Sequence, residues 1–245
     1  MRKQSSRGFS LLELMIVVTI LLIISGTIFQ VINLSMQRSS TEQTKLDMFQ
    51  SAREFMDQMS RDLRQAGYPS PRNFASTVLT TSPVTNDSRA AVGLVKIDAG
   101  ELWFEGDVDG TGSVSVIRYY LDASTDNNCP CLKRSQLPKV TGHPLTAQTA
   151  ASYQVEVQGV TNTDVFSARS TGTTVTFSSG SGLPVTFSAS SGMTIASIDT
   201  VQATLSLQGL VIDPQTRTKP VTTLVTTVRL NNCSQAASGE SMSCN

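Results

Sequence analysis

Residues 1–34 read MRKQSSRGFSLLELMIVVTILLIISGTIFQVINL, and the fold follows from how this stretch is understood. Positions 1–8 form a short polar leader carrying Arg2, Lys3 and Arg7, while positions 9–34 are almost continuously apolar. At about 1.5 Å per helical residue the run exceeds the roughly 30 Å hydrocarbon core of a bilayer, so it is long enough to span. The basic flank belongs on the cytoplasmic side. A secretory signal peptide has a shorter apolar region ending in a small-x-small cleavage site. Here the one small cluster, Ser25, Gly26 and Thr27, runs straight on into Ile28, Phe29, Val31 and Ile32. A plain anchor leaves Glu13 unexplained, because a carboxylate inside an apolar span costs about 2.5 to 3.5 kcal/mol at the helix centre, less near an end, and marks function by default.

The order of these features, Arg7-Gly8-Phe9-Ser10-Leu11-Leu12-Glu13, resembles the processing site of type IV prepilins and type II secretion pseudopilins. The resemblance implies cleavage between Gly8 and Phe9 by a membrane prepilin peptidase, N-methylation of Phe9, and an assembly role for Glu13. A glycine before the cut lets an extended peptide approach a protease closely. Glu13, buried in a filament's apolar bundle, needs a cation, and the freed amine of a neighbouring subunit's Phe9 supplies one. The implied fold is α+β, a pilin-like long N-terminal helix packed against an antiparallel β-sheet head. The implied divisions are a leader at 1–8, a transmembrane and assembly part of the helix at 9–34, an amphipathic part at 35–67, and an extracytoplasmic head at 68–245.

Beyond Leu34 the chain turns polar through Lys45 and then periodic. Met48, Phe49, Ala52, Phe55, Met56, Met59, Leu63 and Ala66 recur at steps of three and four, which predicts one helical face on the head. Asp57 and Arg61 have the i, i+4 spacing of an exposed ion pair. Gly67, Pro69 and Pro71 stop the helix. No proline interrupts Phe9–Ala66, so one helix of about 87 Å is allowed, with Gly26 its one weak link or a point of close helix contact.

In the head, residues 70–89 read as an irregular connection, and 92–97, 101–105 and 114–121 as strands. Between the last two lies Gly106-Asp-Val-Asp-Gly-Thr-Gly112. Asp107, Asp109, Thr111 and Gly112 fit the first positions of an EF-hand loop, but position twelve is Arg118 instead of a closing glutamate. A hairpin turn built on Asp-Gly explains the same residues without a metal. Residues 161–193, around Val175, Phe177, Val185 and Phe187, suggest an inserted hairpin. Val201, Ala203, Leu205 and Leu207 alternate with polar residues, predicting a strand that pairs antiparallel with 221–230.

Four cysteines, Cys129, Cys131, Cys233 and Cys244, allow three disulfide pairings, with the C-terminal pair the first choice. The one histidine, His143, has no ligand-like spacing to them, so no metal is favoured. His143 stands between Gly142 and Pro144 with no nucleophile motif beside it, and Trp103 lies on an apolar strand; neither points to an enzyme. Nineteen basic residues balance nineteen acidic ones, so no direct nucleic-acid partner is implied; no cofactor is expected.

Thr227-Val-Arg-Leu-Asn-Asn232 and the 106–112 turn before Ile117-Arg-Tyr-Tyr resemble the heads of PilW-type minor pilins, with J-type minor pseudopilins sharing the general plan. The partners implied are the prepilin peptidase, other major and minor pilins or pseudopilins, an inner-membrane assembly platform, and the bilayer before assembly. The implied location is the inner membrane, single-pass with the leader cytoplasmic and the head periplasmic, and then the pilus or pseudopilus. A tip adhesin or receptor role would show as an exposed patch on loops 122–150 or 161–193.

Overall fold

The computed structural model describes residues 10–75, 77–125, 129–170, 172–175, 183–184, 195, 198–209, 212–213 and 216–231. Helix α1 (Leu11–Gln65) is unbroken over 55 residues, about 82 Å at 1.5 Å per residue. Gly26 sits inside it with open space where a Cβ would project, so the helix is continuous at its weakest residue. The end is set by local chemistry. Ala66 leaves helical geometry, Gly67 takes a positive φ of 81° that glycine adopts without a Cβ penalty, and the backbone turns toward the sheet.

The strands are β1 (Gly93–Ile97), β2 (Glu101–Gly106), β3 (Ser115–Asp122), β4 (Cys131–Pro138), β5 (Gln154–Gln158), β6 (Phe166–Ser170), β7 (Thr173–Val175), β8 (Leu183–Pro184), β9 (Thr200–Gln208) and β10 (Val221–Arg229). They form two sheets, one in the order β5-β4-β3-β2-β1-β8 and one in the order β10-β9-β6-β7. Every pairing is antiparallel. The architecture is therefore the pilin-like α+β fold, a long N-terminal helix packed against antiparallel sheets.

The helix contributes Ala52, Phe55, Met56, Met59, Leu63 and Ala66 to a core that also takes Leu102, Phe104, Ile117 and Tyr119 from one sheet and Val201, Ala203, Leu205 and Leu207 from the other. Phe55 meets Tyr119 edge-on, with ring centroids 5.4 Å apart. The period-two reading of β9 holds residue by residue, and its pairing with β10 runs from Gln208↔Val221 to Thr200↔Arg229. Trp103 and Val116 point to the opposite face of the six-stranded sheet and form a second cluster with Val92, Val95 and Leu145.

Four expectations change. Phe49 is 42% exposed, so the buried stripe begins at Ala52 with Met48 packed partly against it. Asp57 and Arg61 form no ion pair among the described residues; the paired acids on this helix are Glu42, with Lys45, and Asp62, with Arg134. Residues 161–193 do not make one self-contained hairpin, because β7 pairs with β6 in one sheet and β8 with β1 in the other. Phe177, Val185 and Phe187 lie outside the described residues. Finally, the stretch 122–150 is not a loop throughout: β4 occupies 131–138 between β3 and β5, and Leu145 covers the second cluster.

Candidate functional site

The helix carries two solvents' worth of surface on one rod. From Ser10 to Ser40 every residue is exposed, including Leu11, Leu12, Leu14, Ile16, Leu21 and Phe29. This segment is long and apolar enough to cross a membrane, and none of its apolar window is buried. In hydrocarbon every polar backbone and hydroxyl group has to be satisfied internally. Both threonine hydroxyls comply: Thr19 Oγ1 donates to Met15 O and Thr27 Oγ1 to Ile24 O, both at 2.8 Å. Glu13 lies in the first turn and is the sole charged residue between Leu11 and Gln37. Its place near the positive end of the helix dipole favours a carboxylate there. Gly8 and Phe9, where the sequence expects the cut and the methylated amine, lie outside the described residues.

The other half of the rod is fastened to the head by directed contacts. Asp62, on the buried helix face, accepts from Tyr119 Oη at 2.7 Å and from Arg134 Nε and Nη2 at 3.0 and 2.8 Å. Burial and the Asp62 charge together push the Tyr119 phenol well above its ordinary value. Burial disfavours the Arg134 cation, yet the Tyr119 and Asp62 oxygens outweigh it and its pKa is raised. Where the helix ends, Gly67 N donates to Glu105 O at 2.9 Å and Asp107 N to Tyr68 O at 2.8 Å. Ala66 bridges Gly106, and a Cβ on Gly106 would meet Gln65 O at 2.4 Å. Glycine is required by that close approach of two backbones.

A second buried ion pair holds the loops over the outer face of the larger sheet. Lys139 and Glu105 side chains are both 0% exposed and meet at 2.7 Å. Lys139 Nζ also donates to Thr85 O and Ala90 O, each at 2.8 Å. Burial lifts the Glu105 carboxyl above its ordinary value despite the ammonium beside it. Neither this pair nor the Asp62 network was foreseen. A charged residue at an apolar-phase position, such as Asp62 among Met59, Leu63 and Ala66, was the available signal.

The remaining candidates resolve individually. Asp107 accepts from Thr111 N and Gly112 N, and Asp109 from Thr111 N and Oγ1. Both carboxylates close the turn itself, with Gly110 and Gly112 at positive φ, and Arg118 lies away on β3 with its guanidinium 3.8 Å above the Trp103 ring. Cys129 and Cys131 are bonded to each other. Asp122 lies against them, but Lys133 donates to its carboxylate at 2.6 Å and holds its pKa down to about 2. Cys233 and Cys244, the pair first expected, lie outside the described residues. His143 Nδ1 accepts from Leu145 N and Thr146 N, which makes it a turn cap.

No curated protein and no solved structure matches the chain. Residues 3–29 match the prokaryotic N-terminal methylation motif, and that motif, on an exposed apolar helix fastened to an antiparallel head, supports a type IV pilin or pseudopilin subunit anchored through this helix.

Proposed function

We propose that the chain is a type IV pilus minor pilin that takes part in assembling or priming the fibre, and that its head acts as a structural part instead of an enzyme. The observation that carries this reading is the exposed apolar arm with its single acid at Glu13, continuous with the helix half that packs on a folded head. A prepilin peptidase cuts between Gly8 and Phe9 and the new amine is methylated. The chain waits in the inner membrane with the head periplasmic, then packs through the arm with other major and minor subunits on the assembly platform. In the filament Glu13 pairs with the Phe9 amine of a neighbour, since either charge alone in an apolar bundle costs several kcal/mol.

N-terminal mass analysis of membrane-extracted protein tests the processing step. A mature chain beginning at N-methylated Phe9 is expected; an intact Met1 or a cut near Gly26 refutes it. Glu13→Val leaves insertion and cleavage intact and lowers abundance in sheared filaments relative to membranes, and unchanged incorporation removes the pairing mechanism. J-type minor pseudopilins share the motif. Co-purification with pilus minor subunits supports the pilus reading, whereas co-purification with secretion pseudopilins reassigns the subunit to that machine.

A further inference from the structure

Each edge of a β-sheet presents backbone donors and acceptors that have to be satisfied or shielded. Among the described residues, three of the four edges are short or broken up. Strand β8 spans two residues and ends on Pro184, β7 spans three, and β5 is five residues long with Glu156 in its middle and an irregular register against β4. Strand β10 has none of these devices. It keeps register with β9 through nine consecutive pairs, and its sequence, Val221-Thr-Thr-Leu-Val-Thr-Thr-Val-Arg229, holds no proline, glycine or charge before its last residue. Gly209 N donates to Pro220 O and Leu230 N to Asp199 O, which places Thr222, Leu224, Thr226 and Val228 in the hydrogen-bonded pairs of the ladder. The N–H and C=O groups of Val221, Thr223, Val225, Thr227 and Arg229 therefore point away from β9, and no backbone hydrogen bond reaches them among the described residues. Val221 and Val225 are also 59% and 56% exposed.

We propose that this edge takes an added strand, an extended segment of a partner protein that is uncharged and β-branched through its middle and acidic at both ends. The ends follow from charge. Lys219 and Arg229 flank the edge, both exposed, and neither has an ion-pair partner among the described residues. The middle follows from Val221, Thr223, Val225 and Thr227, whose side chains line the exposed face beside an added strand. A second copy does not fit. The helix and β10 run in the same direction, since Met48 and Phe49 border one groove with Val221 and Thr222 while Ser60 lies against Thr226. Two copies mated antiparallel, edge to edge, would point their apolar arms in opposite directions, which one membrane cannot accommodate. That exclusion alone rests on the anchored-subunit reading; the open edge does not.

Full-length protein in non-ionic detergent is titrated with a fluorescent peptide of the length of Lys219–Arg229, alternating Thr and Val with a Glu at each end, and with the same peptide ending in Lys. Saturable binding of the Glu peptide is expected, with the Lys peptide several-fold weaker. The amides of Thr223, Val225 and Thr227 exchange fast in the free protein, unlike those of Thr222, Leu224 and Thr226, and become protected when the peptide is bound. Val225→Pro removes an N–H that β9 does not use, so the fold is kept while affinity falls about tenfold, the size of one or two backbone hydrogen bonds. Val225→Lys, a charge placed on the edge, lowers affinity without proline's constraint on the backbone; circular dichroism verifies the fold of both. Slow exchange of the three outward amides in the free protein that turns fast once residues 232–245 are removed overturns the proposal, because the chain's own tail then fills the edge. A dimer that Val225→Pro abolishes overturns it in favour of a second copy. No saturable binding, or equal affinity of both variants and the wild type, overturns it outright. Cleavage at Gly8 has no bearing on these readouts, so their failure leaves the processing reading standing.

Discussion

Replacing Lys139 by Met removes a buried cation and strands what it held. Glu105 Oε2 loses its 2.7 Å partner and keeps only Val92 N at 3.2 Å, while Thr85 O and Ala90 O lose their 2.8 Å donor. Breaking a buried pair from one side costs about 3 to 5 kcal/mol. For a head of this size, at about 2 to 4 °C per kcal/mol, that is a fall in Tm on the order of 10 °C. The pH dependence gives a sharper test. A carboxyl whose folded pKa is raised binds its proton more tightly when folded, so its contribution is greatest below the unfolded value, near 4.3, and is lost as pH rises through the folded value. Burial already raises Glu105 with Lys139 present; without the ammonium it rises further. Lys139→Met is therefore expected to lose far more stability at pH 8 than at pH 5, measured by thermal melts of the full chain in detergent. The double variant Glu105→Leu, Lys139→Met recovers most of the loss. A deficit that is equal at both pH values, or a double variant no better than the single, refutes the argument that an unpaired buried carboxylate is the cause.

Gly106→Ala forces a Cβ to within 2.4 Å of Gln65 O; backbone has to move, and a loss of about 1 to 3 kcal/mol is expected in the same melts. Asp87→Asn tests a depressed acid: Arg89 hydrogen bonds hold Asp87 at about 2, so the stability it contributes is present above its unfolded value, near 3.9, and is lost as pH falls toward 2. The wild-type advantage over Asp87→Asn is expected at pH 7 and closes by pH 2. Asp62→Ala leaves the largely buried Arg134 without its carboxylate and is expected to cost about 3 kcal/mol, with the helix end becoming sensitive to protease before the sheets do.

What was legible in the sequence was whatever repeats locally. The three-and-four spacing from Ala52 to Ala66 and the strict alternation of β9 each announce one face, and the structure places those faces as read. Strand β4 was missed because its alternation is masked by charge. Arg134 shares the helix-facing side with Leu132 and is satisfied there by Asp62, while Lys133 on the other side is satisfied by Asp122. Each charge is acceptable in the sheet only because a partner on another element neutralises it, and one-dimensional periodicity cannot register that. The division into two sheets was hidden for the same reason: β8 pairs with β1, more than eighty residues earlier in the chain. Phe49 fits the helical period yet stays exposed, since period decides the side of a helix and not how far along it the sheet extends.

The apolar stripe alone does not explain a rigid joint. A face of Ala, Phe, Met and Leu can slide or roll against a sheet at modest cost, because dispersion contacts are non-directional and methionine adapts to irregular gaps. Directed bonds remove that freedom. Asp62 fixes the rotation of the helix against β3 and β4, Ser60 reaches Thr226 on β10 in the other sheet, and the Ala66–Gly106 bridge fixes its axial position. These three contacts lie within two turns of the helix C-terminus, while the opposite end projects uncovered. These directed contacts are thus gathered near the helix C-terminus, with the Lys45–Asp213 ion pair a further one nearer the arm. This is why Asp62→Ala is expected to loosen the helix end before it unfolds the sheets, and why protection of the helix amides around Met59–Gln65, measured by hydrogen exchange, should fall while that of β2 and β3 persists. Equal loss in all of these elements would mean that the hydrophobic stripe alone sets the joint, and that the buried charges merely fill it.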